Sequence, residues 1–253
     1  MKLHLKVLLL LLFLSSTPVL AQRTGQAPLT RAQIREAEGR LNELGYWTGP
    51  VDGVLDPATR SALIAFQKWE GRQITGKLTL DEIEAMRRGE RPRPRDLGYE
   101  HVEVDVDRQV LILVNDRGSV RVLPVSTGSG ETFMDLGQPS IAYTPRGRFV
   151  VYDKTYGWEN GLLGSVYYAN YITGGVAIHG YETVPTRPAS HGCIRIPMFA
   201  AREVSRLLKL GTIVLVYDKV SFVSAKEWVE NPKLKEAAMA NGAAEDYIVR
   251  PQQ

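Results

Sequence analysis

The chain of 253 residues contains a single cysteine, Cys193. A lone thiol excludes an internal disulfide, so ordinary hydrophobic cores must hold the fold. The thiol itself is either a small buried hydrophobe or a reagent. An excess of one charge is also missing: 31 lysines and arginines stand against 28 aspartates and glutamates. Loss of Lys2 and Lys6 with an N-terminal leader takes the formal charge from +3 to +1. Nucleic acid, which needs a clustered basic face, is therefore not an expected partner. After the first residues no apolar run is long enough to suggest a membrane span. No His-Glu-x-x-His occurs, and no carboxylate stands beside the histidines as a general base, which disfavours a zinc hydrolase.

The N-terminus reads as a secretory signal over residues 1–21. Lys2 and Lys6 give a positive start, Val7 to Leu14 is unbroken and apolar, and Pro18 precedes small residues ending at Ala21. The run falls short of the roughly 20 residues a bilayer span needs. The expected mature chain starts at Gln22, without a lipid anchor and without stable membrane insertion after cleavage. An uncleaved anchor is the competing reading.

Arginine and proline alternate in Arg87 to Arg95, which predicts an extended, solvated linker over residues 88–98. Before it, residues 29–87 read as three short helices. Thr30 with Gln33, and Thr79 with Glu82, have the spacing of capping boxes. Asp56 before Pro57 gives an N-cap followed by proline at the first helical position. Ile34, Ala37, Leu41 and Leu44 share one helical face. Leu44-Gly45-Tyr46, Gly49-Pro50-Val51-Asp52-Gly53, Asp56-Pro57-Ala58-Thr59-Arg60 and Ala65-Phe66-Gln67 follow in order. In these residues the segment resembles the small peptidoglycan-binding domain found beside many wall enzymes. The resemblance implies wall binding; the linker arginines could then also touch anionic wall polymers. On the residues alone, Leu41, Leu44 and Phe66 read as core.

After the linker the pattern changes to period two. His101 to Val106, Val110 to Val114 and Val120 to Val125 read as an antiparallel meander. Further strands are expected at Arg148 to Tyr152, Val176 to His179 and Thr212 to Tyr217. A helix is expected from Met198 to Leu208, with Val204, Leu207 and Leu208 facing inward. Residues 99–217 thus predict a mainly β, sandwich-like domain with one prominent helix, making the chain mixed α and β. Residues 218–253 form a tail, with a helix expected from Ala225 to Ala240 docked by Trp228.

The chemistry centres on Ser190-His191-Gly192-Cys193-Ile194-Arg195 and on Ile178-His179-Gly180. A free thiol has a pKa near ~8.5, so little is thiolate at neutral pH. An imidazole beside it can take the proton and stabilise the thiolate as an ion pair, then return the proton to a leaving amine. Two histidines qualify. His191 shares a strand face with Cys193 unless Gly192 makes a turn. His179, at a strand end, meets the thiol if a hairpin-like excursion through Tyr181 to Pro185 brings the chain back. Gly192 permits close backbone approach, so amides at Gly192 and Cys193 could hold an oxyanion, each worth roughly 3 kcal/mol.

Gly175 to Gly180, Ala189 to Ile196 and Thr144-Pro145-Arg146-Gly147-Arg148-Phe149 together resemble the signature of the L,D-transpeptidases. The resemblance implies Cys193 as nucleophile and His179 as proton acceptor and donor, oriented by a backbone carbonyl at Gly180. It implies His191 as a support of the site, Gly192 as a backbone oxyanion donor, and Arg195 as a backbone brace or a partner of a substrate carboxylate. Ser190, Tyr181 and Trp158 join Arg195 as candidates for substrate contact. The stretch after His179-Gly180 is shorter than in many members, which bears on these contacts. The aromatic segment Tyr152 to Tyr171 is either a flap over the substrate or a loop packed on the sheet.

The implied reaction releases D-alanine from a tetrapeptide stem through a Cys193 thioester and joins two third-position diamino acids. A protein amine as acceptor would give anchoring, and water would give carboxypeptidase cleavage. No cofactor or metal is implied; carbapenems are implied inhibitors. The expected partners are peptidoglycan stem peptides and glycan, in the periplasm or cell wall. The opposed readings are a zinc hydrolase built on His179, His191 and Cys193, and a wall-binding protein that catalyses nothing.

Overall fold

Side-chain caps start the first three helices in the computed structural model, which describes residues 28–161 and 163–221. The expected leader and the helix expected from Ala225 lie outside the described residues. Helix α1 spans Arg31–Glu43, and Thr30 and Gln33 close a reciprocal capping box before it. Helix α2 spans Pro57–Trp69; Asp56 accepts the Thr59 amide at 2.7 Å and proline sits in the first turn. Helix α3 spans Leu80–Arg88. Thr79 accepts the Glu82 amide, but the Glu82 carboxylate turns to Gln67 and Arg72 instead of back to the cap. The second box is thus half formed, because buried partners outbid an exposed amide. Ala37, Leu41 and Leu44 are buried as expected, while Ile34 is half-buried.

The rest of the described chain is mainly β. Strands β1 (His101–Asp105), β2 (Val110–Val114) and β3 (Val120–Pro124) form the expected meander. A two-stranded hairpin follows, β4 (Thr132–Asp135) with β5 (Gln138–Ile141). Then come β6 (Gly147–Val150), β7 (Asp153–Lys154), β8 (Trp158–Gly161), β9 (Gly164–Thr173), β10 (Val176–Tyr181) and β11 (Ile194–Pro197). Helix α4 (Met198–Leu207) and β12 (Ile213–Tyr217) complete it. One sheet has the order β3-β2-β1-β12-β6; the other runs β11-β10-β9-β7, with β8 on β9. Two pairs, β1 with β12 and β10 with β11, are parallel and lie beyond the antiparallel meander.

The apolar run Val110 to Val114 explains how the pieces meet. All five residues are buried, as in strands covered on both faces. Leu111 and Leu113 face the second sheet and α4, in a core with Phe149, Ile178, Ile194 and Val204. Val110, Ile112 and Val114 face the other way and share a core with Leu41, Phe66 and Met86 of the helices. The helical segment is therefore a cover for the sheet.

The segment between them departs from the solvated linker expected over residues 88–98. Pro92 is buried, and Arg91 donates to the Glu43 carbonyl at 2.7 Å. The Arg95 and Asp96 amides donate to the Glu103 carboxylate at 2.9 and 2.8 Å, and the Arg95 guanidinium lies 3.8 Å over the Tyr217 ring. In α4, Val204 and Leu208 are buried, but Leu207 is 46% exposed. Consecutive helical residues diverge by about 100°, so Leu207 and Leu208 cannot both face inward. Leu208 reaches the core because the backbone has already left the helix there.

Glu103 is fully buried and also accepts from the Tyr217 hydroxyl at 2.8 Å. Glu103→Ala would orphan two amides, a phenol and the His101 Nε2 that lies 3.1 Å from the carboxylate, an expected loss of about 3 kcal/mol measured by urea unfolding. A loss under about 1 kcal/mol would mean that the segment does not depend on this carboxylate.

Candidate active site

Strands β10 and β11 place Ile178 opposite Ile194 and His179 opposite Arg195. Both isoleucines are fully buried. Alternation turns His179 and Arg195 to the other face, and Cys193, one residue ahead of Ile194, joins them. His179 is not at a strand end, since β10 runs on to Tyr181. Nor is the return a hairpin: the loop through 182–193 brings β11 back parallel to β10.

The imidazole of His179 is 4% exposed, with Nδ1 3.0 Å from the Gly180 carbonyl oxygen. A carbonyl only accepts, so Nδ1 carries the hydrogen and Nε2 of the neutral ring keeps a lone pair. Burial lowers the His179 pKa to about 4; the Gly180 bond opposes this and the Arg195 charge adds to it. Gly180 must be glycine, because a Cβ there would lie 2.6 Å from Ala201 Cβ. Cys193 is half-buried, and its thiol faces the Gly175 carbonyl at 3.7 Å. Burial raises its pKa, opposed by a hydrogen bond to the Ala177 backbone and by Arg195. At neutral pH both groups are therefore uncharged. The resting groups are a thiol and an unprotonated imidazole on one face of the paired strands.

Gly192 and Ser190 also differ from expectation. Ser190 is 2% exposed; its hydroxyl donates to the Cys193 carbonyl at 2.6 Å and accepts the Gly192 amide at 3.1 Å. It is a brace of the turn and not a substrate contact. The same bond occupies the Gly192 amide, which is therefore not an oxyanion donor. Glycine is needed there because a Cβ would meet the Tyr143 carbonyl oxygen at 2.8 Å. Thr144 holds the turn from the other side, its hydroxyl donating to the Gly192 carbonyl at 2.6 Å and accepting the Gly128 amide at 2.8 Å.

His191 is exposed, its ring 4.6 Å from that of Phe133 on β4, so it braces the β4–β5 hairpin. Arg195 is a backbone brace: it donates to the Ala189 carbonyl at 3.0 Å and stacks over the Tyr181 ring at 4.1 Å. Tyr181 and Trp158 line a cleft of about 530 Å³ with Ser165, Gly180, Glu182 and Thr183. The aromatic segment is packed on the sheet in one part and exposed in another. Tyr167 and Tyr168 pack on the core, while Tyr156 and Trp158 are 80% and 57% exposed. Among the described residues no three His, Cys, Asp or Glu side chains converge to hold a metal ion, so His179, His191 and Cys193 are not a ligand set.

Sequence reasoning assigned no role to Thr144 or to Asn170. Thr144 is 1% exposed. Asn170 is fully buried and its amide donates to the Tyr168 and Ile178 carbonyls at 3.0 and 3.1 Å. Thr144 opens a recognised motif, but only its burial reveals a clamp.

Two outcomes follow from the pair. His179 acquires a proton only as pH falls through about 4, so Cys193-dependent turnover should persist below pH 6 and fail near that value. Alkylation of Cys193 by iodoacetamide should climb with pH to a midpoint above the ordinary thiol value; a plateau near pH 6 would instead reveal a preformed ion pair. Thr144→Val should cut turnover by roughly 10- to 100-fold by loosening the Gly192 turn.

Residues 30–86 match the peptidoglycan-binding domain family, and residues 99–216 match the L,D-transpeptidase catalytic domain family. The crystal structure of an L,D-transpeptidase from Xylanimonas cellulosilytica is 38% identical and covers 73% of this chain and 93% of its own, with a TM-score of 0.69. An L,D-transpeptidase from Stackebrandtia nassauensis is 22% identical over 72% of this chain and 89% of its own, with a TM-score of 0.43. Among curated proteins, the localization factor PodJL of Caulobacter vibrioides is 38% identical over 52 residues, 21% of this chain, and the chain spans 5% of that relative's length. The Xylanimonas identity over nearly all of that structure, with the family match over the domain that holds Cys193 and His179, establishes that this chain belongs to the L,D-transpeptidases and carries a peptidoglycan-binding domain ahead of the catalytic one.

Proposed function

We propose that the protein crosslinks peptidoglycan by a Cys193 thioester, with His179 as the proton carrier. The observation that carries this reading is the buried His179 ring, fixed through Nδ1 to the Gly180 carbonyl with Nε2 left basic on the Cys193 face. Sulfur attacks the carbonyl between the third residue of a tetrapeptide stem and its terminal D-alanine, and the thiol proton passes to Nε2. The developing oxyanion takes the Cys193 amide, since Ser190 has taken that of Gly192. The carbon–nitrogen bond breaks, and the imidazolium returns its proton to the departing D-alanine amine. The side-chain amine of a second stem then attacks the thioester and gives its proton to His179. The thiolate leaves and recovers that proton, and two third-position residues are joined.

Starting neutral suits this cycle. The ring is a base throughout the neutral range, and charge appears only as the carbonyl is attacked. The Arg195 guanidinium lowers the pKa of the thiol and of the ring alike, so it favours thiolate on the sulfur while keeping the proton on His179 easy to release. The cleft of Trp158, Tyr181 and Glu182 is an aromatic channel with one carboxylate, suited to a stem peptide. The leader of residues 1–21 supports export to the periplasm or cell wall, where such stems occur.

The test is incubation of the purified protein with disaccharide-tetrapeptide beside Cys193→Ala, with products weighed by mass spectrometry. A dimer formed with loss of one D-alanine, absent in the variant, is expected. Tripeptide alone would move the assignment to a carboxypeptidase. No product from either protein would overturn the catalytic reading in favour of wall binding.

A further inference from the structure

Lys68 is the second-last residue of α2 and is 4% exposed. Its ammonium crosses from the helical segment into the β domain and donates to the Val125 carbonyl at 2.8 Å and the Gln109 carbonyl at 3.2 Å. Among the described residues no carboxylate pairs with it. Burial draws its pKa down to about 7, so its place in the fold carries a desolvation cost. A purely packing role would be filled more cheaply by an apolar side chain of the same length.

The Val125 carbonyl opens a strap, residues 125–129, against which the nucleophile turn is built, and the Gln109 carbonyl also accepts the Val125 amide at 2.9 Å. Ser126 exchanges backbone bonds with Arg195 at 3.1 and 3.0 Å. The Thr127 carbonyl accepts the Ala189 and Ser190 amides, both at 2.9 Å, and the Ser129 amide donates to the Ser190 carbonyl. Ser190 in turn fixes Gly192 and Cys193. Gln109 locks the same strap from beneath. Its side chain bonds Thr127 twice, at 2.6 and 2.9 Å, and its backbone takes the left-handed φ of 57° that non-glycine residues seldom adopt. From α2 to Cys193 there is a continuous chain of hydrogen bonds and short backbone links, buried as far as Gly192 and part-buried at the Cys193 carbonyl.

We infer that Lys68 is a positioning residue for Cys193: through the 125–129 strap, the wall-binding segment sets the geometry of the nucleophile turn. The helical segment is then part of the catalytic body as well as its cover. This rests on Cys193 being the nucleophile, as proposed above.

The experiment compares the full chain with Lys68→Met, Lys68→Gln and Leu63→Ala, reading kcat, KM, the rate of Cys193 alkylation by iodoacetamide, and the melting temperature. Leu63 is a fully buried residue of the same helix whose loss weakens the helical core without touching the strap. Lys68→Met is expected to lower kcat and the alkylation rate by roughly 10-fold with KM within about twofold, at a melting temperature no lower than that of Leu63→Ala. Lys68→Gln reaches one carbonyl at most and is expected to fall between; it serves alone if Lys68→Met does not fold. Wild-type rates in Lys68→Gln, a change confined to KM, or losses no greater than those of Leu63→Ala would overturn the inference. Absence of Cys193-dependent turnover in the unsubstituted protein would fail the underlying reading instead.

Discussion

Strand β2 has no solvent side, and much of the molecule follows from that. A strand such as Val110 to Val114 carries apolar side chains on both faces, and each face must be covered. The second sheet and α4 cover one, and the three helices cover the other. Removing either cover would expose a contiguous apolar patch of the kind soluble domains avoid. The helices are thereby fixed against the β domain, and the segment between them has no freedom to act as a tether. Its amides run to Glu103 and its arginine stacks on Tyr217.

The same economy of buried polar groups governs the active site. Ser190, Gly192, Thr144, Thr127 and Gln109 bond one another and the adjoining backbone, which commits most of the amides of the turn that carries Cys193. Burial then decides protonation. It holds His179 neutral and Cys193 as a thiol, and Arg195 tempers the second effect while adding to the first. A turn carrying an uncharged pair favours charge only in the transition state, where stabilisation accelerates reaction.

Local chemistry was legible in the residues. Thr30 with Gln33 and Asp56 with Pro57 start helices because the capping bonds span three residues and need nothing from the rest of the chain. The alternation from His101 to Val106 gives a strand for the same reason. The pairing of His179 with the Ser-His-Gly-Cys segment was legible by resemblance, and the structure sets them on adjacent strands. Other readings failed where a partner distant in sequence intervened. Glu82 left its cap for Gln67 and Arg72. The arginine-proline segment docked because Glu103 and Tyr217 awaited it.

The sequence by itself thus determined the helices, the strands of the meander and the family of the catalytic domain, since each depends on spacing within a few residues or on a contiguous motif. Only the tertiary structure decided that β10 and β11 run parallel, that the thiol and imidazole rest uncharged, and that Lys68 reaches the strap behind Cys193. These depend on which groups lose water together and which partner reaches a buried donor first, and chain spacing records neither.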